Sequence, residues 1–191
     1  MRIAALLSVI ALACAAHAAN DKLKAGVFDP PRVAPDFSLQ GSDGGELKLS
    51  RYRGKVVVLG FGFSHCAEIC PTTLATLARA HKKLGAGARD LQVVYVTVDP
   101  ERDSPERLHA YLAAFDPSFI GGTGSPEQLA KVRAAYGIFA ARIESRDPAQ
   151  YGFDHSSFVY LVDREGNLRA LIPYGRSADD IAHDVAILLK K

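Results

Sequence analysis

Little in this sequence is repeated and little is concentrated. It carries three cysteines in 191 residues, no internal repeat and no low-complexity tract. Its basic side chains never gather into a stripe: Lys22, Lys24, Arg51, Arg53, Lys82, Lys83, Arg142 and Arg176 lie far apart. A formal charge of +2 spread so thinly excludes the basic face on which nucleic-acid binders rely, so no nucleic acid is expected as a partner. A long apolar run is missing as well. Residues 3–16 are apolar apart from Ser8, which is short of the about 20 residues a membrane-spanning helix needs.

Arg2 precedes that run, and Ala16-His17-Ala18 follows it as a cleavage pattern. Residues 1–18 therefore read as a secretory signal peptide, with a retained anchor as the alternative. Ala11-Leu12-Ala13-Cys14 is a faint lipid-attachment signal, with Ala11 where such motifs usually carry leucine. Cleavage after Ala18 leaves a charge of +1 and two cysteines, Cys66 and Cys70. Export places this pair in the periplasm or on the outer face of a membrane. In such an oxidising compartment a dithiol must be reduced actively or held by a metal.

Residues 19–35 contain Pro30, Pro31 and Pro35 and read as an extended lead into one domain over residues 36–191. Strand-like pieces at 37–40 and 46–49 flank a glycine-rich turn and predict a hairpin. Val56, Val57, Val58 and Leu59 make an unbroken run that suits a central strand covered on both faces. Residues 92–98 form a second such strand. Between them Leu74, Leu77, Ala78, His81 and Leu84 mark one face of a helix. Ser104-Pro105-Glu106 and Ser125-Pro126-Glu127 are helix starts, each with a capping residue and a proline in the first turn. Residues 138–143, 158–162 and 168–172 are strand-like, and a helix follows over 178–190. After the hairpin the order is strand, helix, strand, helix, helix, strand, strand, strand, helix. It predicts an α/β fold with a mixed central sheet, flanking helices and an N-terminal hairpin, which matches the thioredoxin-like class.

Phe61-Gly62-Phe63-Ser64-His65-Cys66-Ala67-Glu68-Ile69-Cys70-Pro71 lies where a buried strand gives way to a helix, at the edge where open α/β sheets keep their sites. Cysteines four apart in one helical turn share a face, with Cα atoms roughly 6 Å apart, near enough for a disulfide or one metal ion. A helix N-terminus also favours thiolate, which Glu68 would oppose if its carboxylate pointed inward. A disulfide closing so small a loop restrains the unfolded chain by only about 2 kcal/mol, weak for a structural staple.

Thiol oxidoreductases of this fold usually present Cys-x-x-Cys and a cis-proline before a facing strand. Here three residues separate the cysteines, and Asp154-His155-Ser156-Ser157 stands where that proline would be, so an imidazole is expected opposite the sulfurs. Two thiolates and a neutral imidazole make a soft set that suits Cu(I) best and can hold Cu(II) if another oxygen joins. Zn(II) is the main rival, but it wants four ligands and no further cysteine is present. His65 is a bystander or a transient ligand, and His81, His109 and His183 read as ordinary helix residues. Asp99 ends the second buried strand and either supports the site with a hydrogen bond, shapes a docking surface, or caps the turn at Pro100. Asp154 is expected to orient the loop or tune the His155 ring. Tyr151 and Phe153 would line the loop, and Arg102 is an unassigned surface charge.

Gly54-Lys55-Val56-Val57-Val58, Phe61-Gly62-Phe63, Cys66-x-x-x-Cys70-Pro71, Val98-Asp99-Pro100-Glu101-Arg102-Asp103 and Asp154-His155-Ser156 together resemble the Sco/SenC/PrrC family of copper-binding proteins. The resemblance covers most of the chain from about Pro35 to Lys190. It implies a thioredoxin-like domain that binds copper in either oxidation state and serves cytochrome c oxidase copper-centre assembly, by delivering copper, by reducing target thiols, or both. On it, Cys66, Cys70 and His155 carry over as the ligands, and Asp99 falls in the acidic motif around the site. The implied partners are the copper-bearing oxidase subunit or another periplasmic copper protein, and a thiol reductant. Ala67 stands where the family commonly has a proline, which frees that turn from the fixed φ a proline imposes. The rival readings are a periplasmic thiol-disulfide reductase, a peroxide-reducing enzyme of the same fold, and a redox or copper sensor.

Overall fold

A computed structural model describes residues 22–147 and 150–190. The leader read at residues 1–18, with its lipid-attachment alternative at Cys14, lies outside the described residues. The chain runs through β1 (Gly26–Val33), β2 (Ser38–Gly41), β3 (Glu46–Lys48), β4 (Val56–Gly62), α1 (Ile69–Lys83), β5 (Leu91–Thr97), α2 (Pro105–Ala113) and β6 (Ile120–Thr123). It continues through α3 (Pro126–Tyr136), β7 (Ala140–Ile143), β8 (Gly152–His155), β9 (Val159–Val162), β10 (Asn167–Ile172) and α4 (Ala178–Leu189). Eight strands form one mixed sheet in the order β1-β10-β9-β4-β5-β6-β2-β3, and β7 and β8 form a separate hairpin.

The valine run is the middle of this sheet. β4 lies parallel to β5 from Val56↔Leu91 to Gly62↔Thr97 and antiparallel to β9 through Leu59↔Tyr160. Every residue of β4 and β5 is buried, as expected for β-branched runs covered on both faces. The helix starts also behave as their sequences predict: Ser104 and Ser125 each accept a backbone N–H of the first turn, and Ser177 does the same at α4. This is the thioredoxin-like arrangement of a mixed sheet with flanking helices. Among the described residues no helix is long and apolar enough to cross a membrane.

Three strands were not predicted. β1 lies within the stretch read as an extended lead-in and pairs antiparallel with β10, its register breaking between Val27 and Arg32 around the two prolines. Proline cannot donate to a ladder, which confines such a strand to the edge. Its entrance is pinned by Asp184, a buried carboxylate on α4 that accepts the N–H groups of Lys24 (2.8 Å) and Ala25 (2.9 Å). β6 carries Gly121 and Gly122. A methyl on Gly121 would lie 2.9 Å from Leu108 Cβ, and one on Gly122 would lie 2.5 Å from Leu47 Cδ2, so this strand needs glycine for packing despite its poor strand propensity. β8 exists through its partner, with Ala140 opposite His155 and Ile143 opposite Gly152.

Candidate metal centre

The site gathers where β4 and β5 end. Beyond Gly62 the chain turns, Cys66 N–H donating to Phe63 O at 3.4 Å, and α1 begins only at Ile69. The two cysteines therefore do not share a helical turn: Cys70 is helical and Cys66 sits in the loop before it. The first N–H groups of a helix have no partner within it, and the Cys66 sulfur takes one of them, from Cys70 N at 3.4 Å. Cys70 is buried, Cys66 is half-buried, and both are free thiols.

The two sulfurs divide one proton unequally. A hydrogen bond from Cys70 holds the Cys66 thiol down to about 3, helped against its burial by the His155 ring and by the N–H groups of Cys70 and Glu68. The same bond, together with burial, pushes Cys70 far up. Glu68 points its side chain into solvent, so the opposition expected from an inward carboxylate is absent. Cys66 should then alkylate at a rate nearly flat from pH 5 to pH 8. An ordinary thiol would gain roughly a thousandfold over that range, following its thiolate fraction. Removing the donor with Cys70→Ala should slow Cys66 at pH 5. Iodoacetamide labelling followed by mass spectrometry reads both effects, and a steep pH profile in the unaltered chain would contradict the thiolate assignment.

His155 ends β8 beside these sulfurs, its Nε2 3.6 Å from Cys70 Sγ. Its Nδ1 lies 2.8 Å from Ser156 O, and because a carbonyl only accepts, Nδ1 carries a hydrogen. Nε2 is thereby turned to the thiols. Protonated, it donates to the Cys66 thiolate; deprotonated, it presents a lone pair to a metal. Phe63 stacks edge-on against the ring at 5.8 Å and against Phe153 at 5.4 Å, fixing the ring from one side.

The acidic motif after β5 is the frame behind this group. Asp99 is 1% exposed and accepts from Tyr151 Oη (2.8 Å) and from Arg102 Nε. It is thus no docking surface, and its contacts support the hairpin that carries His155. Arg102, read as a surface charge, is largely buried: it donates to Tyr151 O at 3.0 Å and lies 3.6 Å from the centre of the Tyr151 ring. Arg142 covers the other face at 3.5 Å. Burial and the Asp99 bond push the Tyr151 hydroxyl up to about 12, so it remains a donor. Asp103, fully buried, accepts from Ser64 N (3.0 Å) and Thr97 Oγ1 (2.6 Å), which ties the Cys66 loop to the end of β5.

The remaining candidates fall outside this group. Asp154 alternates with His155 along β8, opposite Ala141, and is exposed; the ring is oriented by Ser156 instead. His65 is exposed, with Nδ1 3.1 Å from Ser64 Oγ. His81 pairs with Asp116 and His183 with Asp184, both at 3.0 Å, and His109 is exposed. Among the described residues no three His, Cys, Asp or Glu side chains stand as a ready-made metal cage: the three donors are neighbours without being closed around a point.

The family described as SCO1/SenC matches residues 27–190. An SCO2-like protein of Rickettsia conorii is 36% identical over 139 residues, 72% of this chain and 68% of that protein. The structure of Bradyrhizobium japonicum ScoI with copper bound superposes with a TM-score of 0.76 at 30% identity, covering 82% of this chain and 99% of the other. Apo Sco1 from Thermus thermophilus gives 0.74 at 37% identity, covering 90% and 98%.

Proposed function

This chain belongs to the SCO1/SenC family, and we propose that it is an extracytoplasmic copper carrier that holds the ion on Cys66, Cys70 and His155. Its client would be the copper-bearing subunit of cytochrome c oxidase or another periplasmic copper protein, reached after export directed by residues 1–18. The observation that carries the reading is the convergence of two sulfurs and one ring nitrogen at the rim of the sheet. The donor set is soft, as Cu(I) prefers. Zn(II) wants four ligands, and among the described residues no further His, Cys, Asp or Glu side chain joins these three, which disfavours it.

The chain's own residues divide the work. Cys66 is already a thiolate and open enough to meet incoming copper. Cys70 gives up its proton as the second sulfur engages. His155 then closes over the ion as its hairpin settles, and a docked partner competes for the same ligands. Exchange with oxidised glutathione, which leaves as two thiols, would join the pair as a disulfide, remove both thiolate donors and release the cargo. The test is titration of the reduced, leader-free chain with Cu(I) and Cu(II) while recording absorption. One equivalent should bind, with a thiolate-to-Cu(II) charge-transfer band. A featureless spectrum at one equivalent would remove the copper reading.

One observation favours a second reading, a thiol-disulfide reductase. An exposed-side thiolate backed by a buried thiol is the division of labour that disulfide exchange uses. That reading predicts metal-free turnover of a disulfide substrate with glutathione as reductant, and loss of turnover when Cys66 is replaced.

A further inference from the structure

The side chain that meets Cys70 from behind is Tyr95, and the carrier mechanism makes no use of it. Tyr95 lies on β5, 1% exposed. Its ring runs along β4, where a methyl on Gly60 would lie 3.1 Å from Cδ2. A methyl on Gly62 would lie 1.8 Å from Tyr95 Oη and 2.9 Å from Cys70 Sγ. Hydroxyl and sulfur thus meet over a position on β4 that has no side chain. The phenol and the Cys70 sulfur stand against each other there and interact electrostatically. A phenol at this depth is costly to bury without a partner, and the sulfur is the acceptor that stands beside it. A second phenol, Tyr111, is within electrostatic reach of both sulfurs, yet its buried hydroxyl bonds to nothing among the described residues.

We propose that Tyr95 is a positioning residue of the thiol site, its O–H donating to the Cys70 sulfur and so fixing where that sulfur points and how strongly it gives electrons to a bound metal. The metal part of this inference rests on Cys70 being a copper ligand; the thiol part does not. Two consequences follow from the bond. A donor to sulfur draws density from its lone pairs and lowers their energy, so moving an electron from sulfur to Cu(II) takes more energy. The bond is also stronger to a thiol or thiolate than to a disulfide sulfur, which accepts weakly, so it favours the reduced pair.

The experiment is Tyr95→Phe in the leader-free chain, with Tyr111→Phe beside it. Phenylalanine keeps the ring and its packing and removes only the oxygen. In metal-free protein equilibrated with glutathione, two glutathione thiols are joined as the Cys66–Cys70 bond breaks and both cysteines take up hydrogen. Tyr95→Phe should shift this equilibrium about tenfold toward the protein disulfide, about 30 mV. Loaded with Cu(II), it should move the charge-transfer band to longer wavelength. Tyr111→Phe should leave both readouts at the unaltered chain's values. Tyr95→Phe at those values in both readouts, or equal shifts from the two variants, would overturn the assignment. If the unaltered chain gives no charge-transfer band, the copper reading is what has failed, and the glutathione equilibrium alone decides for or against Tyr95.

Discussion

Serine at position 70 is expected to abolish tight Cu(I) binding, with a loss well beyond the about 10–100-fold that changes outside the ligand set cost. The physical reason is donor softness. Cu(I) gains most from polarisable sulfur, and a serine hydroxyl is a hard donor that stays protonated at neutral pH. The variant tests that reason cleanly. Serine is nearly isosteric with cysteine and can still donate an O–H to the Cys66 thiolate, whose largest stabilising contact is the Cys70 hydrogen. Cys66 should therefore keep much of its reactivity at pH 5 while copper affinity collapses. His155→Ala should act differently, weakening Cu(II) more than Cu(I), because Cu(I) tolerates two-coordinate sulfur and Cu(II) does not. Competition with a chromophoric Cu(I) chelator reads the first effect and Cu(II) absorption the second. Unaltered-chain Cu(I) affinity in Cys70→Ser, or an unchanged Cu(II) spectrum in His155→Ala, would take the corresponding residue out of the ligand set.

These expectations began from residues that can be read without a structure, and the limits of that reading have physical causes. β4 and β5 were legible because both faces are covered, so apolar β-branched residues run on without interruption. The caps at Ser104 and Ser125 were legible because a cap is a local device, complete within four residues. β6 was not, since packing against Leu108 and Leu47 demands Gly121 and Gly122, and glycine is read as a turn. β8 was not, because its strand character comes from β7, about a dozen residues away in sequence. β1 hid behind its prolines.

The site divides along the same line. Cys66 and Cys70 announce themselves by spacing, and His155 by standing at the mouth of a buried strand where a proline was expected. Its placement against Cys70 depends on contacts no local pattern encodes: Phe63 beside the ring and Ser156 O on Nδ1. Arg102 looked like a surface charge because arginine usually is one. Its burial follows from Asp99, three residues before it, and from the Tyr151 ring, which the fold brings against it. Tyr95 looked like one more apolar strand residue. Only Gly62 across the ladder makes room for its hydroxyl to reach sulfur.

Asp103 is where the acidic motif should prove most costly to disturb. Its carboxylate, fully buried, takes the Ser64 N–H and the Thr97 hydroxyl, and that hydroxyl in turn accepts from Asp99 N at 2.9 Å. Asp103→Ala would leave the first two donors buried without an acceptor, at about 1–3 kcal/mol each and roughly 3–5 kcal/mol together. In a domain of this size that is a fall in Tm of roughly 6–20 °C. Asp103→Asn should fall between, because one amide oxygen can satisfy one donor while its NH2 faces the other. The loss should also reach the thiols, because Ser64 is held by this carboxylate and starts the loop to Cys66, whereas Cys70 is carried by α1. Loosening should therefore expose Cys66 to alkylation more than Cys70. Thermal and denaturant unfolding of the metal-free chain measure the first effect, and labelling of the two cysteines the second. A Tm within 2–3 °C of the unaltered chain's, about 1 kcal/mol at this size, would mean that the buried carboxylate is not the brace on which the end of β5 and the thiol loop depend.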